Sequence, residues 1–247
     1  MHYNRPRSTA TWGLNAKDWE AGINYEKLRK DRLERAQSAC AEAGFGAFLC
    51  FNFDNLRYIT STHIGEWGRD KFDRYCLCPT DSAPFLWDPA PPAKRKSSPW
   101  LGNRVDAPVS TMQGSIPPEH GVQNVFAKQI KEKMVELGIE KQPLGIDVME
   151  LPMLRALEQE GVEVVDGQQA LMNAREVKTE EEIELLKVAA AMVDATYLDI
   201  AKAIRPGAKE SDLVAIANDK LYGMGSERVE CVNSVAGPRG APHSHTF

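Results

Sequence analysis

Apolar positions recur at helical spacing in some segments of this chain and as short unbroken runs in others, and the alternation of the two predicts its elements. Over residues 24–43, Tyr25, Leu28, Ala36, Ala39, Cys40 and Ala43 fall roughly on one face, and Gly44 ends that helix. Residues 46–52 are a short apolar run and read as a buried strand. Asp54-Asn55 is turn chemistry, after which residues 56–59 resume an extended pattern. Residues 74–78 and 84–87 read as two further strands joined by a turn at 79–82. Before all of these, residues 1–22 lack periodicity but carry Trp12 and Trp19, and read as an arm that lies on something.

A long irregular segment is expected over residues 88–118, which hold Pro89, Pro91, Pro92, Pro99, Pro108, Pro117 and Pro118. Loops of that length inside a domain usually serve a function or cover a neighbour, so this one either touches a second subunit or is disordered. Residues 122–137 then carry Val125, Phe126, Ile130, Met134 and Leu137 at helical spacing. A strand at 144–148, a short helix at 151–159 with Pro152 in its first turn, and a strand at 162–165 follow. Strand–helix alternation of this kind predicts an α/β layer, a sheet covered by helices.

The pattern changes around residues 173–178, and a domain boundary is placed there. This gives an arm (1–22), an α/β domain (23–173) and a second domain that starts at 174 and runs to 247. Thr179 and Glu182 form a capping box, with Glu180 and Glu181 at the positive end of the helix dipole. That helix runs to about residue 204, with Ile183, Leu186, Ala190, Val193, Tyr197, Ile200 and Ile204 on one face, and Arg205-Pro206-Gly207 ends it. A second helix covers about 211–222, a strand is expected at 229–236, and Gly237-Pro238-Arg239-Gly240 turns out of it. Two helices and one strand cannot satisfy that strand's amides, so the second domain is expected to be incomplete, with an apolar sheet edge that lowers solubility.

The composition changes the picture in a few places. The 247 residues are 43% hydrophobic, enough for one large domain or two smaller ones. The net charge of −5 gives no footprint for nucleic acid. No apolar stretch is long enough to span a membrane, and the polar N-terminus lacks a secretory h-region. Five scattered cysteines argue against a disulfide framework and for a reducing cytoplasm.

Candidate chemistry is sparse. No phosphate-binding glycine loop, G-x-S-x-G elbow or H-E-x-x-H helix is present. His243 and His245 follow the Gly-Pro-Arg-Gly turn, where an imidazole could accept or donate a proton in a cleft, bind a metal as an i,i+2 pair, or simply be exposed in a loop. Cys76 and Cys78 share one strand face, but no second pair completes a zinc site, so small core residues are expected. Trp67, on a loop rich in glycine and charge, is either a binding wall or a packed anchor. Asp54, Asp70, Asp73, Asp81 and Asp88 are explained by turn and surface roles.

Taken in order, several stretches resemble one family. They are Val177-Lys178-Thr179-Glu180-Glu181-Glu182-Ile183, Ala189-Ala190-Ala191, Ile204-Arg205-Pro206-Gly207-Ala208-Lys209-Glu210, Gly223-Met224-Gly225-Ser226-Glu227, and Val235-Ala236-Gly237-Pro238 followed by Pro242-His243. Together they are similar to the start of the catalytic domain of the creatinase, prolidase and aminopeptidase P group, the pita-bread metalloenzymes. Upstream, Asp54-Asn55-Leu56-Arg57-Tyr58-Ile59-Thr60 followed by Arg74-Tyr75 resembles the N-terminal domain of that group. Trp67, Phe72 and Arg74 are similar to the dimethylsulfoniopropionate lyases built on the same fold, in which a tryptophan from one subunit lines the partner's site.

The resemblance implies a creatinase-like mixed α/β domain followed by the start of a pita-bread domain. It implies a homodimer acting on a small peptide or other small molecule, with Trp67 and Arg74 at the substrate or the dimer contact. It implies two divalent metal ions in the full-length protein, held by two Asp, one His and two Glu. All five ligands fall downstream of residue 247, so none is carried over and none is expected in this chain. His243 best matches the family's substrate-contacting or proton-shuttling histidine, and His245 is its alternative. The expected parent is a hydrolase of the Xaa-Pro peptidase or creatinase type, with carbon–sulfur elimination or a non-catalytic dimerisation module as the other readings. The 247-residue chain by itself is expected to be inactive.

Overall fold

The computed structural model describes residues 22–63, 73–109 and 116–240. They divide into two compact units, Tyr25–Thr179 and a second one from Glu180 onward that also takes in Asn24.

The first unit is built on β1 (Ala47–Cys50), β2 (Tyr75–Pro79), β3 (Phe85–Trp87), β4 (Val105–Asp106), β5 (Leu144–Ile146) and β6 (Val164–Asp166). They form one mixed sheet in the order β4-β3-β2-β1-β5-β6. β1 pairs antiparallel with β2 and parallel with β5, so it joins a local hairpin to a set of crossover strands. All four β1 residues are buried, as expected of a strand covered on both faces. Alternation divides its side chains between two cores. Ala47 and Leu49 join Phe126, Ile130, Met134, Met153 and Leu157 from α4 (Val122–Glu136) and α5 (Leu151–Gln159). Phe48 and Cys50 join Ala36 and Cys40 of α1 (Tyr25–Glu42), Leu56 and Ile59 of α2 (Phe53–Thr60), and Leu171 of α6 (Gln168–Glu176). The result is a mixed sheet between two layers of helices.

Two aromatic rings close down on Gly145 in β5. A Cβ there would lie 2.5 Å from Phe45 Cδ2. Only glycine lets the Phe45 and Phe48 rings, which meet edge to face at 5.8 Å, pack over this strand.

Several expectations need correction. Residues 56–59 are helical, inside α2, because the Asn52 side chain accepts from the Asp54 and Asn55 amides and starts a helix where a turn was read. Leu56, Ile59 and Thr60 then face inward at i, i+3 and i+4. The 88–118 segment is not structureless. It holds α3 (Pro91–Ser97), with prolines in the first turn where their missing N–H is tolerated, a short 3₁₀ turn at Pro99–Leu101, and β4. Helix α6 was not expected, since it buries only Leu171 fully and so shows no apolar stripe.

The second unit consists of α7 (Glu180–Ala203) and α8 (Glu210–Gly223), packed together, with Lys220 Nζ 2.7 Å from Asp199. No strand forms at 229–236. Among the described residues nothing pairs with this stretch, and Ala236 N–H donates to Glu210 Oε1 at 2.7 Å. No sheet edge is therefore exposed here. The predicted face of α7 does exist, but it is open, with Leu186 at 55% and Tyr197 at 65% exposure. The ion pair to α8 uses Asp199, which is not on that face.

Candidate functional site

Three of the four residues singled out from the sequence, Trp67, His243 and His245, lie outside the described residues. The fourth, Arg74, does not project from the surface. It sits one position before β2, where it is buried.

The hairpin explains where it goes. β2 and β3 pair with Tyr75 opposite Trp87, so the next pair outward is Arg74 and Asp88. Arg74 Nε lies 2.8 Å from Asp88 Oδ2, and both side chains are at most 4% exposed. The contact is close but poorly aligned for a hydrogen bond, and Nη1 has no hydrogen-bond partner. Nη2 donates to Thr62 Oγ1, which is 2.7 Å from Thr60 Oγ1. Lys94 of α3 approaches the same carboxylate at 3.8 Å and donates to the His63 carbonyl at 2.7 Å. Trp100 closes one side, its indole N–H donating to the Thr60 carbonyl at 2.8 Å with the Arg29 guanidinium 4.4 Å above the ring.

Burial lowers the proton affinity of both cations. For Arg74 desolvation outweighs the attraction of Asp88, and for Lys94 desolvation and repulsion by Arg74 outweigh it. Asp73 is buried beside Arg74. The surface role expected for Asp73 and Asp88 is thus overturned, whereas Asp88 does serve a turn, its Oδ1 accepting from the Ala90 amide at 3.1 Å. The signal was available: Asp88 stands as far beyond the hairpin's last pair as Arg74 does. The cluster ties Thr62 and His63 to Asp73 and Arg74, the two flanks of the stretch that carries Trp67. Among the described residues it acts as a charged clamp.

A second polar cluster lies at the carboxyl ends of β1 and β5. The Asp147 carboxylate accepts from the amides of Phe51 (2.9 Å), Asn52 (3.0 Å) and Val148 (2.7 Å) and from Asn55 Nδ2 (3.0 Å). Burial nevertheless raises its carboxyl above the ordinary range, against the pull of these bonds. It pins the start of α2 to the end of β5. The thiols are also structural. Cys50 and Cys76 stand opposite each other on β1 and β2, and Cys40, Cys50, Cys76 and Cys78 are all buried in one core. Among the described residues, no three His, Cys, Asp or Glu side chains gather so as to hold a metal ion.

No protein-family profile matches the chain. In sequence it is 24% identical to dimethylsulfoniopropionate lyase DddP of Roseovarius nubinhibens, over 94% of this chain and 52% of the relative. To the lyase DddP of Roseobacter denitrificans it is 26% identical, over 87% of this chain and 50% of the relative. The chain therefore spans about half the length of the curated relatives it matches. In structure it superimposes on the Xaa-Pro dipeptidase of Bacillus anthracis with a TM-score of 0.59 and 20% identity, over 80% of this chain and 50% of the other. It also superimposes on the prolidase of Pyrococcus furiosus with a TM-score of 0.56 and 18% identity, over 79% and 54%.

The chain has the fold of the N-terminal part of the prolidases. The resemblance to the creatinase, prolidase and aminopeptidase P group holds, together with the likeness to its dimethylsulfoniopropionate lyase branch. At this identity the prolidase fold says how the chain is built and leaves its reaction to be argued. No helix among the described residues is long and apolar enough to cross a membrane.

Proposed function

We propose that this chain is the N-terminal portion of a dinuclear-metal hydrolase of the Xaa-Pro peptidase or creatinase type. The observation that carries the reading is the fold: a six-stranded mixed sheet followed by two helices, superimposing on about half of several Xaa-Pro peptidases. The described residues do not fit a two-metal centre. On this reading the ligands lie beyond Phe247, and no chemical step is assigned to groups in this chain that would need them. The part given to this chain is positioning. The Tyr25–Thr179 unit supplies a dimer contact, Arg74 and Asp88 hold the flanks of the segment bearing Trp67, and His243 or His245 contacts the substrate. The unit from Glu180 onward is the start of the catalytic domain, and a cytoplasmic homodimer acting on small peptides is the expected assembly.

A second reading has its own support. Both curated relatives are dimethylsulfoniopropionate lyases, and their sequence likeness extends over nearly the whole chain. On that reading the same architecture serves a carbon–sulfur elimination.

One experiment tests both. The reading frame is extended past residue 247 to its stop codon, the product is purified, and its metal content is measured. Xaa-Pro dipeptide cleavage and dimethyl sulfide release are then assayed side by side. Two divalent ions per chain with dipeptide cleavage support the first reading, and dimethyl sulfide release supports the second. A stop codon directly after Phe247, or an extended product without metal, removes both.

A further inference from the structure

Four of the cysteines share the core on the α1–α2 side of the sheet, and their thiols are not equivalent. Cys40 Sγ donates to the Phe45 carbonyl at 3.7 Å, and Cys78 Sγ donates to the Pro79 carbonyl at 3.8 Å. Cys50 and Cys76 face each other instead. They are direct partners in the β1–β2 register, and their thiols lie close enough to interact. Opposed residues on antiparallel strands have Cα atoms about 4.5 or 5.5 Å apart, and both spacings fall inside the range of about 4.4–6.8 Å that a disulfide spans. The other strand pairings fit worse. Cys78 stands opposite Phe48, so it meets Cys50 only across a diagonal of roughly 7–8 Å. Cys76 and Cys78 follow each other on one strand face, about 6.7 Å apart with side chains that do not converge.

We propose that Cys50 and Cys76 form a disulfide site that is oxidised while the chain folds and is shut away once it has folded. The oxidant is a small-molecule disulfide. One cysteine thiolate attacks it and releases a first thiol as a mixed disulfide forms, and the other cysteine then displaces the second thiol. One S–S bond forms in the chain and one breaks in the reagent. The two cysteine protons end on the two released thiols, and two electrons pass from the cysteines to the reagent. The timing follows from place. β1 and β2 are separated only by α2 and the stretch after it, so the two thiols meet as soon as this local pair forms. In the finished unit both side chains are fully buried beneath α1 and α2, where neither oxidant nor reductant reaches them. The bond would close residues 51–75 into a loop. That loop holds α2 and four members of the charged clamp, Thr60, Thr62, Asp73 and Arg74. It would also staple the strand end that leads to the Asp147-bound amides of Phe51 and Asn52 to the strand that follows Arg74. A chain made in a reducing compartment keeps the two thiols packed side by side. The inference is independent of the enzymatic reading.

The test uses the whole 247-residue chain, made by cell-free translation. One sample is synthesised in reduced glutathione and a second in oxidised glutathione. A third is synthesised reduced and meets oxidised glutathione only after folding. Free thiols are then blocked with iodoacetamide in denaturant, and the peptides are mapped by mass without reduction. The expected result is a linked pair of peptides carrying Cys50 and Cys76 in the second sample, absent from the first and the third. The stapled chain is expected to melt about 5–10 °C above the reduced one, because the bond restricts the unfolded loop. A different dominant pair such as Cys40 with Cys78, no link in the second sample, an equal yield of the link in the third, or a stapled chain that melts no higher overturns the inference.

Discussion

Arg74 and Asp88 face each other one step beyond the last paired residues of the β2–β3 hairpin, with 2.8 Å between Nε and Oδ2 and almost no water around either. A buried pair of this kind contributes little net stability when complete, but it is costly to break, because the survivor is left charged and dry.

That asymmetry yields a first prediction. Asp88→Asn alone lowers stability by about 3–5 kcal/mol, since Arg74 and Lys94 lose their shared carboxylate. The double replacement Arg74→Leu with Asp88→Leu costs much less than the sum of the two single changes. Urea unfolding of the four chains completes the cycle. Additive losses would show that the pair is not coupled.

The cysteines offer a direct check of the core. Burial pushes the Cys40 thiol up to about 12 and raises Cys50 and Cys78 well above their ordinary value. Cys231 is the exposed one. Iodoacetamide on the native chain should add a single carbamidomethyl group, at Cys231, with the other four cysteines reacting only after unfolding. Rapid native labelling of Cys76 or Cys78 would contradict the packing of β2.

Asp147 sets a pH dependence whose sign can be worked out. Its carboxyl is raised above 3.8 in the fold, so the folded chain keeps this proton to a higher pH than the unfolded chain does. The stability tied to that proton is full below the ordinary value and is lost as pH rises through the raised one. Asp147→Asn abolishes this loss. The same change turns an amide NH₂ toward the Asn52 and Asn55 donors and costs about 1–3 kcal/mol for each donor left unpaired. Unfolding midpoints for both chains across the carboxylate range give the answer. Parallel curves would mean that Asp147 carries no raised proton.

How legible all this was in the sequence depended on range. β1, β2, β3, α4 and α5 were readable because each states its case within its own few residues, as Phe126, Ile130 and Met134 do at helical spacing. α2 was misread because one side chain, Asn52, decides between turn and helix, and its capping bonds outweigh the extended pattern after it. Residues 229–236 show the reverse. Val229, Val232 and Val235 favour a strand locally, but a strand exists only beside another. The partner of Arg74 lay in plain view at Asp88, and finding it required the hairpin register, which no short window of sequence contains. The family likeness drew on spacing across the whole chain, which is why it survived these local errors.

The placement of β1 constrains the order in which the sheet can be assembled. Its antiparallel neighbour is Tyr75–Pro79, but its parallel neighbour, Leu144–Ile146, is made nearly a hundred residues after it. On the ribosome, one flank of an entirely apolar strand stays open for most of the translation of this unit. A chaperone that holds extended hydrophobic segments would find its grip at Ala47–Cys50 and be released only when Leu144–Ile146 emerges.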